Sequence, residues 1–409
     1  DDHIKRKSIV SQFSKDEVIL IRSLFLFFLA LHDIGKFSIT FQNLNPVLLQ
    51  LLQKNVINMN YSNRHDYLGW LVYDSEIRQI IYNSVNEVDE IPAIDKILDI
   101  FAFFSFGHHG KPAIEGNGSY RSDFLDTDKM AIRDFVADLL KLFTCPVELK
   151  VLSYYEKNER KKFISSLKKI SWELAALCVI SDWLASGDDF RFYSNEIPIE
   201  EYLKIADKEA EVAVKRAGIL PSRPSLQSGL SHLFPDYSNT PTPLQKYCDE
   251  MTLSDKPQLW ILEDVTGAGK TEAALTLSSR IISSGLAEGV FVALPTMATS
   301  NAMYDRMSNV YYRLFNDNEK PSLVLTHGSR HLSDKFRESY RDHIISDYDN
   351  RLYDENIEEG KIYCARWLAD SSKKTLLADA GVGTIDQLLL GVLPARYQSL
   401  RYYGMCRKV

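Results

Sequence analysis

Apolar residues recur at three- and four-residue intervals through the first half of the chain, in Val18–Leu31, Tyr67–Ile81, Ile97–Phe106, Met130–Phe143 and Ile170–Leu184. That spacing turns one helix face toward a core, so it predicts a helical bundle. Strand-like alternation is scarce before residue 217, and an amphipathic helix over Ile199–Ala217 closes the region. The breaker-rich run Gly218-Ile-Leu-Pro-Ser-Arg-Pro-Ser-Leu-Gln-Ser-Gly229 predicts a linker, taken as 218–239. From 240 the texture changes to short aliphatic strands at Leu259–Leu262, Val290–Leu294, Leu323–Thr326 and Thr375–Leu377, alternating with helices. Such βαβ alternation implies a parallel sheet. An acidic, polar stretch, Ser333–Gly360, reads as a surface insertion. The expectation is an all-α bundle over 1–217 followed by an α/β lobe over 240–409.

Composition narrows the function classes. A chain of 409 residues exceeds one core, and 45% hydrophobic with 25% charged residues is ordinary globular material. A net charge of −7 excludes a wholesale basic nucleic-acid binder, leaving room only for a local groove. Cys145, Cys178, Cys248, Cys364 and Cys406 are scattered, without a Cys-x-x-Cys pair, which suits a reducing cytoplasm. The apolar run Leu24–Leu31 is short of a membrane span, and no export signal opens the chain. The first residue is not Met, and Arg407-Lys408-Val409 reads as the start of a strand, so a piece of a longer protein is expected.

The clearest chemistry lies in Ile261-Leu-Glu-Asp-Val-Thr-Gly-Ala-Gly-Lys270-Thr271. A strand, a glycine turn and a helix N-terminus in that order cradle phosphate. Gly267 and Gly269 let backbone N–H groups face an anion. Lys270 would reach the β- and γ-phosphates, and the Thr271 hydroxyl would hold Mg²⁺. The full phosphate-loop pattern asks for glycine where Asp264 stands, so only the Gly-Lys-Thr core matches.

In the helical half, histidines and aspartates recur at the ends of apolar runs: His32-Asp33, His65, His108-His109 and Asp182. Each has a bland reading as a core pair, a cap or a turn. Together, in one helical region, they are the ligand types from which a bundle builds a metal site. Neutral imidazoles suit Mn, Fe, Co or Ni, and Asp33 can bridge two ions with its two oxygens. Two such ions would activate a water and neutralise a phosphoryl group. Lys36, one turn on, could hold a phosphate oxygen.

Ala30-Leu-His-Asp-Ile-Gly-Lys-Phe37, then His65, then Gly107-His-His-Gly110, then Ser181-Asp-Trp-Leu-Ala-Ser186 resembles the HD-type phosphohydrolase and nuclease domain. With the lobe that follows, the order resembles the CRISPR-associated helicase–nuclease family of type I interference systems, nearly end to end. The resemblance implies an HD domain that cuts single-stranded DNA with two transition-metal ions. It implies His32, Asp33, His65, His108, His109 and Asp182 as ligands, Asp33 and Lys36 as catalytic groups, and ATP with Mg in a RecA-like lobe. The family's signature has a further, earlier histidine; the candidate here, His3, stands too close to His32 to match it.

The same resemblance assigns Gln245, in Thr240-Pro-Thr-Pro-Leu-Gln245, to adenine reading alongside Gly267, Gly269, Lys270 and Thr271. Pro295, Thr296 and Thr299 in Ala293–Ala302, Gly328 after Leu325-Thr-His, and Thr384 in Gly381–Gln387 would be nucleic-acid contacts at strand ends. Without the resemblance, Thr296 or Thr299 is equally a helix N-cap. The family continues beyond Val409 into an acidic pair and a second RecA-like lobe, so weak ATP binding and no translocation are expected of these residues alone. Implied partners are single-stranded DNA and a guide-RNA surveillance complex of the Cascade type. An anti-CRISPR inhibitor is a further implied partner; a membrane is not. Two other readings stay open: a phosphohydrolase of small nucleotides with an ATP-sensing lobe, and an inactive fragment that serves as a binding target.

Overall fold

The computed structural model describes residues 12–53, 60–85, 91–111, 113, 118–187, 190, 197–237, 240–330, 333–340, 362–406 and 408–409. His3 and most of the 333–360 insertion lie outside them; residues 334–340 are helical. Compact packing divides the chain between Asp182 and Trp183 into a helical unit ending at Asp182 and a second unit running from Trp183 to Val409.

The helical unit is built around α1, Lys15–Leu31. Ser14 starts it with a capping box: its hydroxyl accepts from Glu17 N–H, and the Glu17 carboxylate accepts from Ser14 N–H at 2.6 Å. Two otherwise orphaned N–H groups are satisfied this way. Leu20, Leu24, Phe27, Phe28 and Leu31 follow at helical spacing and are fully buried. The helical stretch Lys15–Phe37 is long and apolar enough to cross a bilayer by length and composition. Half of that apolar window is buried inside this bundle, against α2 (His65–Val72), α3 (Ile91–Phe106), α4 (Asp126–Leu142) and α5 (Lys157–Ala185). Stacked and edge-on rings, Phe28 on Phe101 and on Tyr73, fill its centre. The expected helices all form, each within or overlapping the predicted span.

In the second unit, α6 (Ile199–Ala217) ends at Gly218, whose φ of +63° makes it a left-handed cap. Helices α7 (Pro243–Glu250) and α8 (Lys270–Ser283) enclose a small core of Cys248, Ala273, Leu277 and Ile281. Strands β1 (Val290–Leu294), β2 (Leu323–Thr326) and β3 (Ala380–Thr384) form a parallel sheet in the order β1-β3-β2. Val290 and Leu323 both pair with Ala380. Helix α9 (Met297–Met307) follows β1, α10 (Ile385–Leu389) follows β3, and α11 (Gln398–Met405) comes last.

Two expected strands are corrected. Thr375–Leu377 is a 3₁₀ turn, and the strand falls on Ala380–Thr384 instead. The run Gly381–Gln387 reads as small and hydroxyl residues at a strand end, but its two glycines lie within the strand itself: a Cβ on Gly381 would stand 2.6 Å from the Phe291 ring. One on Gly383 would stand 2.5 Å from Thr326 O. The central strand is therefore glycine-rich because its neighbours occupy the space. Leu259–Leu262 forms no strand either: Leu259 and Ile261 are 89% and 78% exposed. Trp260 and Leu262 pack on the α7–α8 core, so the alternation of a strand is present without a ladder beside it among the described residues. Gly383→Val should cost roughly 1–3 kcal/mol or more through overpacking, visible as a lower melting temperature. An unchanged melting curve would contradict this packing of β3.

Candidate metal centre and phosphate loop

Asp33 lies where α1 stops. Leu31 is the last helical residue, His32 caps it, and a 3₁₀ turn over Ile34–Phe37 returns Lys36 toward Asp33. Gly35 lets this turn cross the start of α2. A Cβ there would sit 1.9 Å from His65 O and 2.6 Å from Gly69 N, both backbone atoms that cannot give way. The glycine thus sets the distance between Asp33 and His65. Gly69 repeats the device one turn on, where a Cβ would meet the Phe106 ring at 2.8 Å. After Phe106, α3 breaks into a turn that carries His108 and His109. Asp182 comes from the end of α5.

The six expected side chains converge. His32 Nε2 stands 3.2 Å from Asp33 Oδ2 and 3.5 Å from Asp182 Oδ1. His65 Nε2 and His108 Nε2 lie 3.3 and 3.8 Å from Asp33 Oδ1. His109 Nε2 faces His65 Nε2 at 2.8 Å. The Lys36 ammonium donates to Asp33 Oδ2. His32 Nδ1 and His108 Nδ1 meet the carbonyls of Leu29 and Ser105 at 2.7 and 2.8 Å. A ring N–H donated to a backbone carbonyl fixes the imidazole and leaves Nε2 to face inward.

Electrostatics follow from this crowding. Burial opposes a charge on His32, but its hydrogen bonds to Asp182 and Asp33 outweigh that and raise it to about 10. Burial would raise Asp33, and His32 with Lys36 instead hold it well below the usual carboxylate range. Burial lowers His65 and His108, and burial with His108 and His65 nearby lowers His109 to about 4. Three imidazoles are therefore neutral near pH 7, the form in which a ring nitrogen binds a cation.

The donor set fits a metal. Ligand atoms of His65, His108 and His109, and those of His32, Asp33 and His108, fall into two groups, each within 4.8 Å. Asp33 Oδ1 is buried and has no hydrogen-bond partner, although imidazole nitrogens surround it. A buried carboxylate oxygen left in that state is costly unless something cationic completes it. One oxygen faces His32 and Lys36 and the other faces His65 and His108, which is the disposition a bridging carboxylate needs.

The phosphate loop forms in the second unit. Gly267 and Gly269 have φ of +85° and +77°, and Gly269 caps α8. Lys270 Nζ donates to the carbonyls of Asp264 and Val265, each at 2.8 Å. Thr271 Oγ1 accepts from Arg306, which also pairs with Glu272 at 2.6 Å. Gln245 is buried beneath the loop. Its Oε1 accepts from Thr242 N–H in the capping box of α7, and its Nε2 donates to Gly269 O at 3.5 Å. Arg306 carries no motif that the sequence exposed, and Thr242, whose hydroxyl donates to Ala268 O, lies in the Thr240–Gln245 run, where the resemblance assigns a role to Gln245 alone.

The strand-end residues are brought to the carboxyl edge of the sheet but engage locally. Thr296 and Thr299 form the capping box of α9 after Pro295, and Thr384 is buried at the cap of α10. Gly328 follows β2, next to His327, whose Nε2 meets Asn301 Oδ1 at 2.9 Å.

A helical bundle closing on histidines and aspartates, followed by a partial RecA-like lobe with a phosphate loop, is the architecture of an HD-type domain joined to a RecA-like lobe. Residues 2–191 match the family described as Cas3, HD domain. The Escherichia coli (strain K12) CRISPR-associated endonuclease/helicase Cas3 is 29% identical over 98% of this chain and 46% of its own length. The Thermus thermophilus protein of the same description is 32% identical over 57% of this chain and 25% of its own length. The crystal structure of T. fusca Cas3-AMPPNP shares the fold, with a TM-score of 0.70 at 20% identity, over 100% of this chain and 42% of that one. Residues 2–191 thus match the Cas3 HD-domain family, and the chain as a whole is similar to CRISPR-associated Cas3 nuclease/helicases, of which it spans less than half the length.

Mn²⁺ or Co²⁺ at a hundred times its dissociation constant should stabilise the fold by about 2.7 kcal/mol. Differential scanning calorimetry should show that gain in the native sequence and its loss in Gly35→Ala. Equal stabilisation of both would mean that the Gly35 crossing does not set the site.

Proposed function

We propose that this chain is a metal-dependent nuclease that cuts single-stranded DNA, coupled to the first lobe of an ATP-driven helicase in CRISPR interference. The observation that carries the reading is the unpartnered Asp33 Oδ1 ringed by inward-facing Nε2 atoms. In this reading residues 1–217 form the nuclease domain, 218–239 the linker and 240–409 the lobe.

His32, Asp33, His65, His108, His109 and Asp182 would hold two transition-metal ions, Mn, Fe, Co or Ni. When bound, these ions supply an activated water and charge neutralisation at the phosphoryl group. The protein's own part is positional. The Leu29 and Ser105 carbonyls fix two of the rings, and Asp33 presents one oxygen to each side of the site. Lys36, held on Asp33 and 41% exposed, can turn its ammonium to a phosphate oxygen of the strand.

In the lobe, Gly267, Gly269, Lys270 and Thr271 would take the phosphates of ATP with Mg, Lys270 exchanging its two carbonyl partners for phosphate oxygens. Gln245 would support the loop from beneath as well as meeting the base. Pro295, Thr296, Thr299, Gly328 and Thr384 would track the strand's phosphates along the sheet edge, without reading sequence. A guide-RNA surveillance complex in the cytoplasm would deliver that strand.

Circular single-stranded DNA incubated with the chain and Mn²⁺ or Co²⁺ should be nicked, and Asp33→Ala should abolish nicking. Turnover of small nucleotides with intact DNA would contradict the reading. Lys270→Ala should leave nicking within about twofold of the native rate, a difference near 0.4 kcal/mol. In a chain of the relatives' full length it should abolish ATP-driven degradation of duplex DNA. Loss of nicking in Lys270→Ala would contradict this division of labour.

A further inference from the structure

Helix α2 begins without a side-chain cap of its own. Arg64 occupies the cap position, where its guanidinium donates to the Asp66 carboxylate and its side chain caps none of the helix's N–H groups. The first N–H, that of His65, donates instead to the hydroxyl of Tyr61 at 2.8 Å. The same oxygen lies 3.4 Å from His65 Nδ1. Phe41 packs edge-on against both rings, with centroids 5.4 Å from Tyr61 and 5.7 Å from His65.

We infer that Tyr61 is a positioning residue for the metal centre, its hydroxyl fixing the tautomer and orientation of His65. The inference rests on the metal reading proposed above. His32 and His108 have backbone carbonyls to accept their Nδ1–H, whereas His65 has a phenolic oxygen in that place. A hydroxyl oxygen has two lone pairs, enough to accept from His65 N–H and from Nδ1–H at once. With Nδ1 protonated in this way, the Nε2 lone pair of His65 is directed toward Asp33 Oδ1 and His109 Nε2. Without the hydroxyl, both helix N–H and Nδ1–H lose their acceptor, and the tautomer with Nε2 protonated competes. That tautomer cannot coordinate through Nε2, the nitrogen that faces Asp33 and His109.

Tyr61→Phe keeps the ring on Phe41 and removes only the oxygen; Phe41→Leu removes the ring packing and keeps the oxygen. Titration calorimetry with Mn²⁺ should show affinity falling about tenfold in Tyr61→Phe, the lower end of losses for such supporting partners. Phe41→Leu should stay within about threefold of the native chain, roughly 0.7 kcal/mol. In parallel, ¹⁵N spectra of the metal-free chain, with His65 assigned by its substitution, should show its Nδ1-protonated form depleted in Tyr61→Phe. Unchanged affinity and tautomer in Tyr61→Phe would overturn the inference. Equal losses in both variants would overturn it as well, since packing would then be the cause, and so would failure of Tyr61→Phe to fold. A native chain that binds no Mn²⁺ would sink the metal reading itself.

Discussion

The helical half depends on a single carboxylate. Asp33 receives the Lys36 ammonium and the Nε2 atoms of His32, His65 and His108, drawn from three separate segments. Placing so many basic nitrogens around a largely buried acid removes them from water, a cost that recurs wherever polar groups are enclosed. The enclosure is incomplete without positive charge, since Asp33 Oδ1 keeps no hydrogen bond of its own. The bundle's apolar core, with its stacked Phe28 and Phe101, supplies the stability against which this polar centre is held in place.

What makes the convergence possible is close backbone crossing rather than any one side chain. Gly35 lets the turn after α1 touch the first turn of α2, and Gly69 lets α2 approach Phe106 at the end of α3. The three segments that carry Asp33, His65 and His108 are thereby brought together within a few ångströms. The second unit uses glycine in the same way: Gly381 and Gly383 admit the Phe291 ring and the Thr326 backbone, and Gly269 admits the Gln245 side chain. The candidate functional residues of both units stand at ends of regular elements, where backbone groups are exposed and positions are set by neighbours.

The helices were legible because their burial is periodic, and the centre was legible because histidine and aspartate stand at helix ends, in an order that resembles a known domain. The family comparisons agree with that resemblance. What the pattern concealed has a physical cause in each case. Thr375–Leu377 looks like a strand although a 3₁₀ turn holds it, and the glycines of Gly381–Gln387, which read as a strand's end, lie inside the strand Ala380–Thr384, where Phe291 fills the space beside them. Leu259–Leu262 has strand composition, but a strand also requires a partner, which composition does not encode. Tyr61 escaped notice because its hydroxyl replaces a cap usually supplied by Ser, Thr, Asp or Asn. The hydroxyls of Thr296 and Thr299, legible either as phosphate contacts or as caps, are engaged as a capping box.

The central claim is that Asp33 organises bound cations. Anomalous diffraction from crystals grown with Mn²⁺, recorded near the manganese edge, tests it most directly. The account predicts two peaks flanking Asp33, one toward His32 and Asp182 and the other toward His65 and His109. No peak at Asp33, or manganese found only elsewhere on the chain, would contradict it.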